Sequence, residues 1–474
     1  MRLDGDLFRD ECGIFGVCGH AEASRISYLG LHSLQHRGQE SAGMAVANGT
    51  MVRTHRQMGL VQEAFDSATL DRLTGDTAVG HVRYSTAGSS HIRNAQPISA
   101  QTGHGHVSVA HNGTLTNAMQ LRSMLERVGS IFHSDSDTES FVHLIARSKR
   151  SRFVDRILEA VAEVRGAYSL LFLSERQVVA LRDAHGFRPL SLGVLDGAPV
   201  LASESCAFDL IGASLVRDVA PGEVLVMDRD NPRLDAVESH FPLERTDPHM
   251  CIFEFIYFAR PNSVIGGRSV YEARIDMGRR LAVEHPVRGD LVIPVPDSGT
   301  PAAIGYARES GIPFELGFIR SHYVGRTFIE PKSSIRHFGV KLKLSPVASL
   351  LRGRRVVVVD DSIVRGTTSQ KIVKMLKDAG AREVHVRISS PPTRHSCFYG
   401  IDTPTRGELI ASTNSVEDIL AFLEADSLGY LSLEGARQAA GQNNGGYCDA
   451  CFSGDYPVPI PKPVEQIQTS IEGL

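Results

Sequence analysis

Tryptophan is absent from the 474-residue chain, and no apolar run approaches the roughly 20 residues a helix needs to cross a bilayer. The longest candidate, residues 356–359, ends in Asp360 and Asp361, so no membrane span is expected. A surplus of one charge is also lacking: 50 Lys and Arg stand against 54 Asp and Glu, which implies neither nucleic acid nor a membrane surface as a partner. The seven cysteines are an odd set scattered over a long chain. That argues against a secreted disulfide scaffold and for thiols kept reduced in a cytoplasmic setting. Residues 1–11, MRLDGDLFRDE, lack the continuous apolar stretch of an export signal. There is no fixed-period repeat and no low-complexity tract.

The length favours two domains, since single hydrophobic cores usually stop growing below this size. The first half reads as α+β: CGIFGVCG, a helical SRISYLGLHSLQHRG, then AGMAVANGTMVRTH, TAVGHVRYST, a strand-turn-strand over 167–184, and APVLASES. The second half alternates apolar runs with amphipathic helices, as in DLVIPVPDSGTPAAIGYARESGI and RRVVVVDDSIVRGTTSQKIVKMLKDAG. That alternation predicts an α/β unit with a parallel, doubly wound sheet. The junction falls near 240–250, and the prolines at 457, 459, 461 and 463 rule out a helix in the tail.

Residues 356–380 carry the strongest local signal. A buried strand delivers Asp360 and Asp361 to its carboxyl end, where open α/β sheets place ligands. The loop 363–366 then turns into a helix beginning near Thr367, with Ile372, Val373, Leu376 and Ala379 on one face and Gly380 as its stop. A ribose diol accepts carboxylate partners, a helix start suits phosphate, and Mg²⁺ takes hard oxygens, so one short loop can supply all three. A surface acid pair before a polar helix cap is the plain alternative, but two acids ending a valine run pack poorly.

VVVVDDSIVRGTT resembles the phosphoribosyl pyrophosphate motif of the type I phosphoribosyltransferases. The resemblance implies that Asp360, Asp361, Ser362, Arg365, Gly366, Thr367 and Thr368 bind phosphoribosyl pyrophosphate, Thr367 and Thr368 cradling phosphate. PVPDSGTPAA, residues 294–303, is similar to that family's pyrophosphate loop and places Ser298 near Mg²⁺ with Asp360 and Asp361. Between the two elements lie Arg320, Arg326, Lys332, Arg336, Lys341 and Lys343. Alone they would read as a solvated basic loop; here they suggest a lid over pyrophosphate, with Arg326 touching the substrate.

In the first half, Cys12 opens an apolar strand, where a lone cysteine is ordinarily core. HRGQES (36–41), GHVRYST (80–86), AHNGTLTN (110–117) and SDSDTE (134–139) accompany it. Together these resemble the amidotransferase domain of the N-terminal nucleophile hydrolases, an αββα sandwich. The resemblance implies that residues 1–11 are a propeptide whose removal makes Cys12 the first residue, its own α-amine taking the thiol proton. The reference pKa values, about 7.7–8.0 for the amine and ~8.5 for the thiol, make that exchange nearly thermoneutral. It further implies that Arg83 and Asp137 hold glutamine, while Asn112 and Gly113 stabilise the oxyanion. Alone, Arg83 could be an ion pair and Asn112-Gly113 a tight turn.

Cys448 and Cys451 form a CxxC, ambiguous among zinc, a redox dithiol and iron–sulfur; with Cys251 and Cys397 they complete a thiolate set of four. FEFIYFARP, SSPPTRHSCFYGID and CDACFSG resemble the propeptide-bearing, [4Fe–4S]-containing members of the glutamine phosphoribosylpyrophosphate amidotransferases. That implies 12–240 as the glutaminase domain and 241–474 as the transferase domain, with Cys251, Cys397, Cys448 and Cys451 as cluster ligands. It also implies a homotetramer, purine nucleotides as feedback inhibitors, and ammonia passing from glutamine to phosphoribosyl pyrophosphate. Zinc remains the rival for the thiols. Cys18 and Cys206 read as small buried hydrophobes. A phosphoribosyl pyrophosphate-sensing regulator and a glutaminase with another ammonia acceptor are the competing functions.

Overall fold

The computed structural model describes residues 12–84, 90–243, 246–321, 344–441 and 446–460. Residues 1–11 and Arg326, with Lys332, Arg336, Lys341 and Lys343, lie outside them.

Residues up to His240 build two stacked antiparallel sheets. One has seven strands in the order Ser214–Asp218, Ser191–Leu195, Ala198–Ala202, Gly13–Cys18, Thr77–Arg83, Ser41–Ala47, Val52–Met58. The other has six: Glu238–His240, Val224–Asp228, Gln177–Arg182, Gly166–Leu173, Gly105–Leu115, Ile98–Thr102. Ile14, Cys18, Val79, Ala110, Leu171 and Leu201 pack between them. Helices Ala23–Ser33 and Cys206–Ile211 cover the first sheet through Ile26, Leu31 and Phe208. Helices Glu139–Arg147 and Phe153–Val161 cover the second through Phe141, Ile145 and Ile157. This is the expected four-layer αββα sandwich. Both faces of the central strands are covered, so they read as unbroken apolar runs, whereas the edge strand Val52–Met58 keeps partly exposed polar positions.

The helix expected over the whole of SRISYLGLHSLQHRG stops at Ser33. A single 3₁₀ turn, Gln35–Arg37, follows. The Gln35 side chain accepts the Val61 backbone N–H at 2.7 Å, and Arg37 turns inward to the Cys12 carbonyl. These tertiary contacts override the local helical period.

The second unit is a four-stranded parallel sheet in the order Leu291–Pro294, Arg355–Asp360, Glu383–Ile388, Ser427–Tyr430. Val357 and Val359 face Met277, Ala303 and Tyr306 of helices Val270–Glu284 and Thr300–Ser310. Val356 and Val358 face Ile372, Leu376 and Ile419 of helices Thr367–Asp378 and Val416–Leu423. Alternate residues of one strand thus enter two different cores, which is the doubly wound arrangement.

Where the two units meet, Met250–Cys251 pairs in parallel with Tyr447–Cys448, Cys251 opposite Cys448. A π-helical turn, Glu254–Phe258, follows. Arg274 secures this turn by donating to the carbonyls of Phe255 at 2.8 Å, Tyr257 at 2.7 Å and Ala259 at 2.7 Å. Burial lowers the Arg274 pKa to about 10, against the favourable pull of Asp361.

Candidate active sites

Cys12 immediately precedes the central strand Gly13–Cys18 and is buried. Its Sγ donates to the Tyr84 carbonyl at 3.6 Å, just beyond the end of strand Thr77–Arg83. Burial pushes the thiol pKa up, opposed by the Tyr84 hydrogen bond and by Arg83 and Arg37; Asp137 pushes it further up. The thiol is therefore held protonated, and attack on a carbonyl needs a base. His81, opposite Ile14 in the same sheet, is not that base. Burial drives its pKa down to about 3, and its Nε2 donates to the His111 carbonyl at 3.0 Å.

The other glutaminase candidates converge on the same end of the sandwich. Arg83 is buried, 3.6 Å from the Glu40 carboxylate. Asp137 accepts the Leu115 N–H at 2.9 Å and lies 3.7 Å from His111 Nδ1. Burial would raise the Asp137 carboxyl, but His111 and the Leu115 and Thr138 N–H groups hold it below the usual range. Asn112 and Gly113 sit on strand Gly105–Leu115 of the facing sheet. Asn112 Nδ2 contacts Ser203 Oγ at 3.3 Å, and Ser203 Oγ accepts the Ile14 N–H at 3.0 Å. Asn112 Oδ1 is buried without a hydrogen-bond partner among the described residues.

Behind Cys12 lies a set of buried charges that its neighbours in sequence do not announce. Arg37 donates from Nε to the Cys12 carbonyl at 3.2 Å, to Glu204 at 2.5 Å, and through both terminal nitrogens to Glu254 at 3.0 and 2.7 Å. Arg188 donates to the same Glu254 carboxylate. All four side chains are at most 1% exposed. Among the described residues two guanidinium groups thus face two carboxylates, and His36 Nε2 also lies 2.7 Å from Glu204, so the buried charges are met by opposite ones.

In the second unit, Asp360 and Asp361 end the strand Arg355–Asp360 and are buried. Burial, then the neighbouring Asp361 charge, pushes the Asp360 carboxyl well above its ordinary value. Asp361 accepts from Ser362 Oγ at 2.7 Å, while its Oδ1 is buried without a partner among the described residues. Gly366 takes a left-handed φ of +81° before the helix Thr367–Asp378, whose N-terminal turn holds Thr367 and Thr368. Arg365 pairs with Glu408 at 2.8 Å. Ser298 lies in the loop after strand Leu291–Pro294, which the Val295 N–H to Val359 carbonyl bond, 2.8 Å, ties to the strand that ends in Asp360. Asp297 of that loop pairs with Arg320, the first of the basic residues assigned to a lid, which ends a strand, Phe318–Arg320.

Cys251, Cys397, Cys448 and Cys451 lie together at the junction of the units. Cys251 is opposite Cys448, and Cys397 packs against both apolar clusters that contain the other three. Burial raises all four pKa values, Cys251 to about 11, and for Cys251, Cys448 and Cys451 the other thiols of the set add to the rise. The Tyr399 N–H donates to Cys397 Sγ at 3.3 Å. No group of three His, Cys, Asp or Glu side chains among the described residues is arranged to hold a single metal ion. Cys18 and Cys206 are buried in apolar clusters, with pKa values pushed up to about 12 by burial.

Both motif sets thus form compact sites, one in each unit. Arg37, His111 and Glu254 lie inside segments that resemble the family, and Ser203 and Glu204 inside a predicted strand, but their meeting with one another and with Arg188 is not readable from the sequence, because partners lie up to 217 residues apart.

Residues 81–209 match the family model of a glutamine amidotransferase domain, which gives the class of the first unit: a glutamine amidotransferase with an N-terminal nucleophile hydrolase fold. The chain is 54% identical to amidophosphoribosyltransferase 1, chloroplastic, of Arabidopsis thaliana, covering 98% of this chain and 81% of that one. To amidophosphoribosyltransferase of Bacillus subtilis it is 48% identical, covering 95% of each. A solved structure of the allosteric regulatory enzyme of purine biosynthesis superposes with a TM-score of 0.91 at 48% identity, covering 95% of this chain and 97% of that one. The B. subtilis glutamine phosphoribosylpyrophosphate amidotransferase, solved with ADP and GMP, gives 0.90 at 47%, covering 95% and 98%. The chain belongs to the amidophosphoribosyltransferase family. It is an enzyme that transfers ammonia from glutamine to phosphoribosyl pyrophosphate, giving 5-phosphoribosylamine, glutamate and pyrophosphate in the first committed step of purine nucleotide synthesis.

Proposed function

We propose that residues 12–240 form the glutaminase domain, with Cys12 its nucleophile once residues 1–11 are removed, and that 241–474 form the transferase domain. The observation that carries this is the meeting of Cys12, Arg83 and Asp137: the guanidinium and carboxylate that would hold the two charged ends of glutamine are the same charges the thiol feels. The Cys12 sulfur attacks the amide carbon as the freed α-amine takes its proton. The amine returns that proton to the leaving nitrogen, ammonia departs, and water hydrolyses the thioester to glutamate. Removal of the propeptide supplies the base that the burial-raised thiol requires.

Gly113 N–H and the Asn112 amide are the oxyanion donors in this reading. Ser203 Oγ already accepts the Ile14 N–H, so its hydroxyl proton is free to seek an acceptor. Turning the Asn112 amide over satisfies that proton with Oδ1 and releases Nδ2 to the position now held by the partnerless oxygen.

In the transferase domain, Asp360 and Asp361 hold the ribose diol, while Ser362, Arg365, Gly366, Thr367 and Thr368 hold phosphate and Arg326 touches the substrate from a lid. Ammonia displaces pyrophosphate at the anomeric carbon, forming the C–N bond as the C–O bond breaks. Asp361 Oδ1, without a partner among the described residues and beside the raised Asp360 carboxyl, fits a site that receives cations or hydroxyls. Mg²⁺, held by Asp360, Asp361 and Ser298 together with substrate oxygens, would neutralise charge on the departing pyrophosphate.

Cys251, Cys397, Cys448 and Cys451 are the proposed ligands of a [4Fe–4S] cluster, which would lock the C-terminal segment to the domain junction. Cys251, Cys448 and Cys451 are each raised by other thiols of the set, with Cys397 packed beside them, and a group that takes negative charge on the sulfurs would relieve that repulsion. The ADP and GMP on the Bacillus enzyme support purine nucleotides as inhibitors. A homotetramer and residence in the cytoplasm complete the reading.

Labelling with a diazo-ketone glutamine analogue, followed by intact mass, tests the centre of this reading. One adduct on Cys12 of a chain lacking residues 1–11 is expected; full glutaminase activity from a chain that starts at Met1 would overturn it.

A further inference from the structure

We propose that Glu254, a residue of the transferase unit, is a positioning residue for the glutaminase: it sets the plane of the Arg37 guanidinium, and through it the backbone of Cys12. The inference rests on the reading of Cys12 as nucleophile.

If the α-amine of Cys12 is the base, sulfur and nitrogen belong to one residue, and their approach to the amide carbon depends on how that residue's backbone is held. The strand Gly13–Cys18 anchors the chain on the carboxyl side of Cys12, and the Cys12 carbonyl oxygen accepts from Arg37 Nε at 3.2 Å. With the carbonyl pinned, the peptide plane is fixed and only rotation about the bond from carbonyl carbon to Cα redirects the amine. Arg37 is therefore the lever on the geometry of the reacting residue.

Among the described residues, two carboxylates hold Arg37 in different ways. Glu204 receives one nitrogen, at 2.5 Å, and so supplies charge at a single point. Glu254 receives both terminal nitrogens, at 3.0 and 2.7 Å, and a forked contact of this kind fixes a guanidinium plane as a single one does not. Glu254 is in turn locked from behind by Arg188, and its turn is secured by the three Arg274 hydrogen bonds. The forked contact that orients Arg37 Nε thus comes from the transferase unit. Glu204 adds to the same control, since Arg260 N–H and Ser263 Oγ hold its other oxygen at 2.8 and 2.7 Å.

Glu254→Gln keeps size and shape but replaces one acceptor oxygen by a donor that faces two guanidinium groups. Glutamine hydrolysis, measured on the processed two-domain protein that starts at Cys12 with saturating phosphoribosyl pyrophosphate, should lose roughly 10- to 100-fold in kcat, the scale of a misplaced reacting group. KM for glutamine should stay within about 2-fold because Arg83 and Asp137 are untouched, and synthesis from ammonium salt should stay within about 2-fold. A merely structural role would lower the hydrolytic and ammonia-dependent rates together, and that result, like an unchanged kcat, overturns the proposal. Cys12→Ala is run alongside: glutamine hydrolysis surviving in it removes the nucleophile reading and this inference together, whereas a dead Cys12→Ala with an undiminished Glu254→Gln removes this inference alone. Should Glu254→Gln not accumulate, Arg37→Lys retains the charge without the Nε donor and must show the same split; a kcat within about 2-fold of the parent would overturn the proposal.

Discussion

Gly400 and Gly113 touch: a Cβ built on Gly400 would lie 3.1 Å from the Gly113 Cα. Gly113 is a proposed oxyanion donor of the glutaminase, and Gly400 lies three residues beyond Cys397. Both have left-handed backbones, φ +144° and +112°, so neither tolerates a side chain easily. Gly400→Ala is expected to lower glutaminase kcat about 10-fold and to destabilise the protein by about 1–3 kcal/mol of backbone strain. Steady-state kinetics with glutamine and with ammonium salt, together with thermal melts, measure the two effects; a glutamine-dependent rate unchanged from the parent would show the contact to be idle.

Asn112→Ala should cost roughly 100- to 1,000-fold in glutaminase kcat, the usual loss for one oxyanion donor. KM for glutamine should change little, because no charged end of the substrate meets this amide. A rise in KM at constant kcat would assign Asn112 to ground-state binding instead.

Asp361→Asn removes the carboxylate whose one oxygen holds Ser362 and whose other has no partner among the described residues. Titration calorimetry should find phosphoribosyl pyrophosphate bound about 1.5–3 kcal/mol more weakly, the value of hydrogen bonds to a charged group. Synthesis should fall with either nitrogen source. Undiminished affinity would remove Asp361 from the ribose site.

Cys451→Ser should lower iron and acid-labile sulfide content, bleach any brown colour and reduce the unfolding temperature, since whatever binds only the folded state stabilises it. Retained iron with an unchanged melting point would rule out Cys451 as a ligand. Zinc in place of iron and sulfide would decide for the single-ion alternative.

His81 is buried, with its pKa lowered from 6.5 to about 3. Between these values the unfolded chain binds a proton that the folded chain refuses, so this residue's contribution is fully present above 6.5 and drains away as pH falls toward 3. The slope is about 1.4 kcal/mol per pH unit. His81→Gln should flatten the dependence of urea midpoints on pH from about 6.5 to about 4; a parent and variant with parallel curves would contradict the assignment.

The strands were legible because the central ones are covered on both faces and so read as runs of Val, Ile, Leu and Ala, as in residues 356–359. The loop between strand Arg355–Asp360 and helix Thr367–Asp378 was legible because strand, acid pair, glycine and helix follow one another without interruption. The proposed glutaminase residues Cys12, Arg83, Asn112 and Asp137 could be found only as separate motifs, and their meeting depends on the stacking of two sheets. The shortened helix at Ser33 and the turn Glu254–Phe258 were not legible, because Gln35, Arg37 and Arg274 fold the chain toward partners distant in sequence. The same holds for Glu254, which looks in sequence like one acid in an aromatic segment and in space closes a quartet of charges.

The parallel pairing of Met250–Cys251 with Tyr447–Cys448 has a consequence for biosynthesis. A nascent chain on the ribosome cannot complete the seam between its halves until residue 448 has left the exit tunnel. The sandwich can form long before then, yet the segment bearing Glu254 has no strand to lie beside. On the proposed role of Glu254, an abandoned fragment would carry a thiol without its brace and would hydrolyse little glutamine.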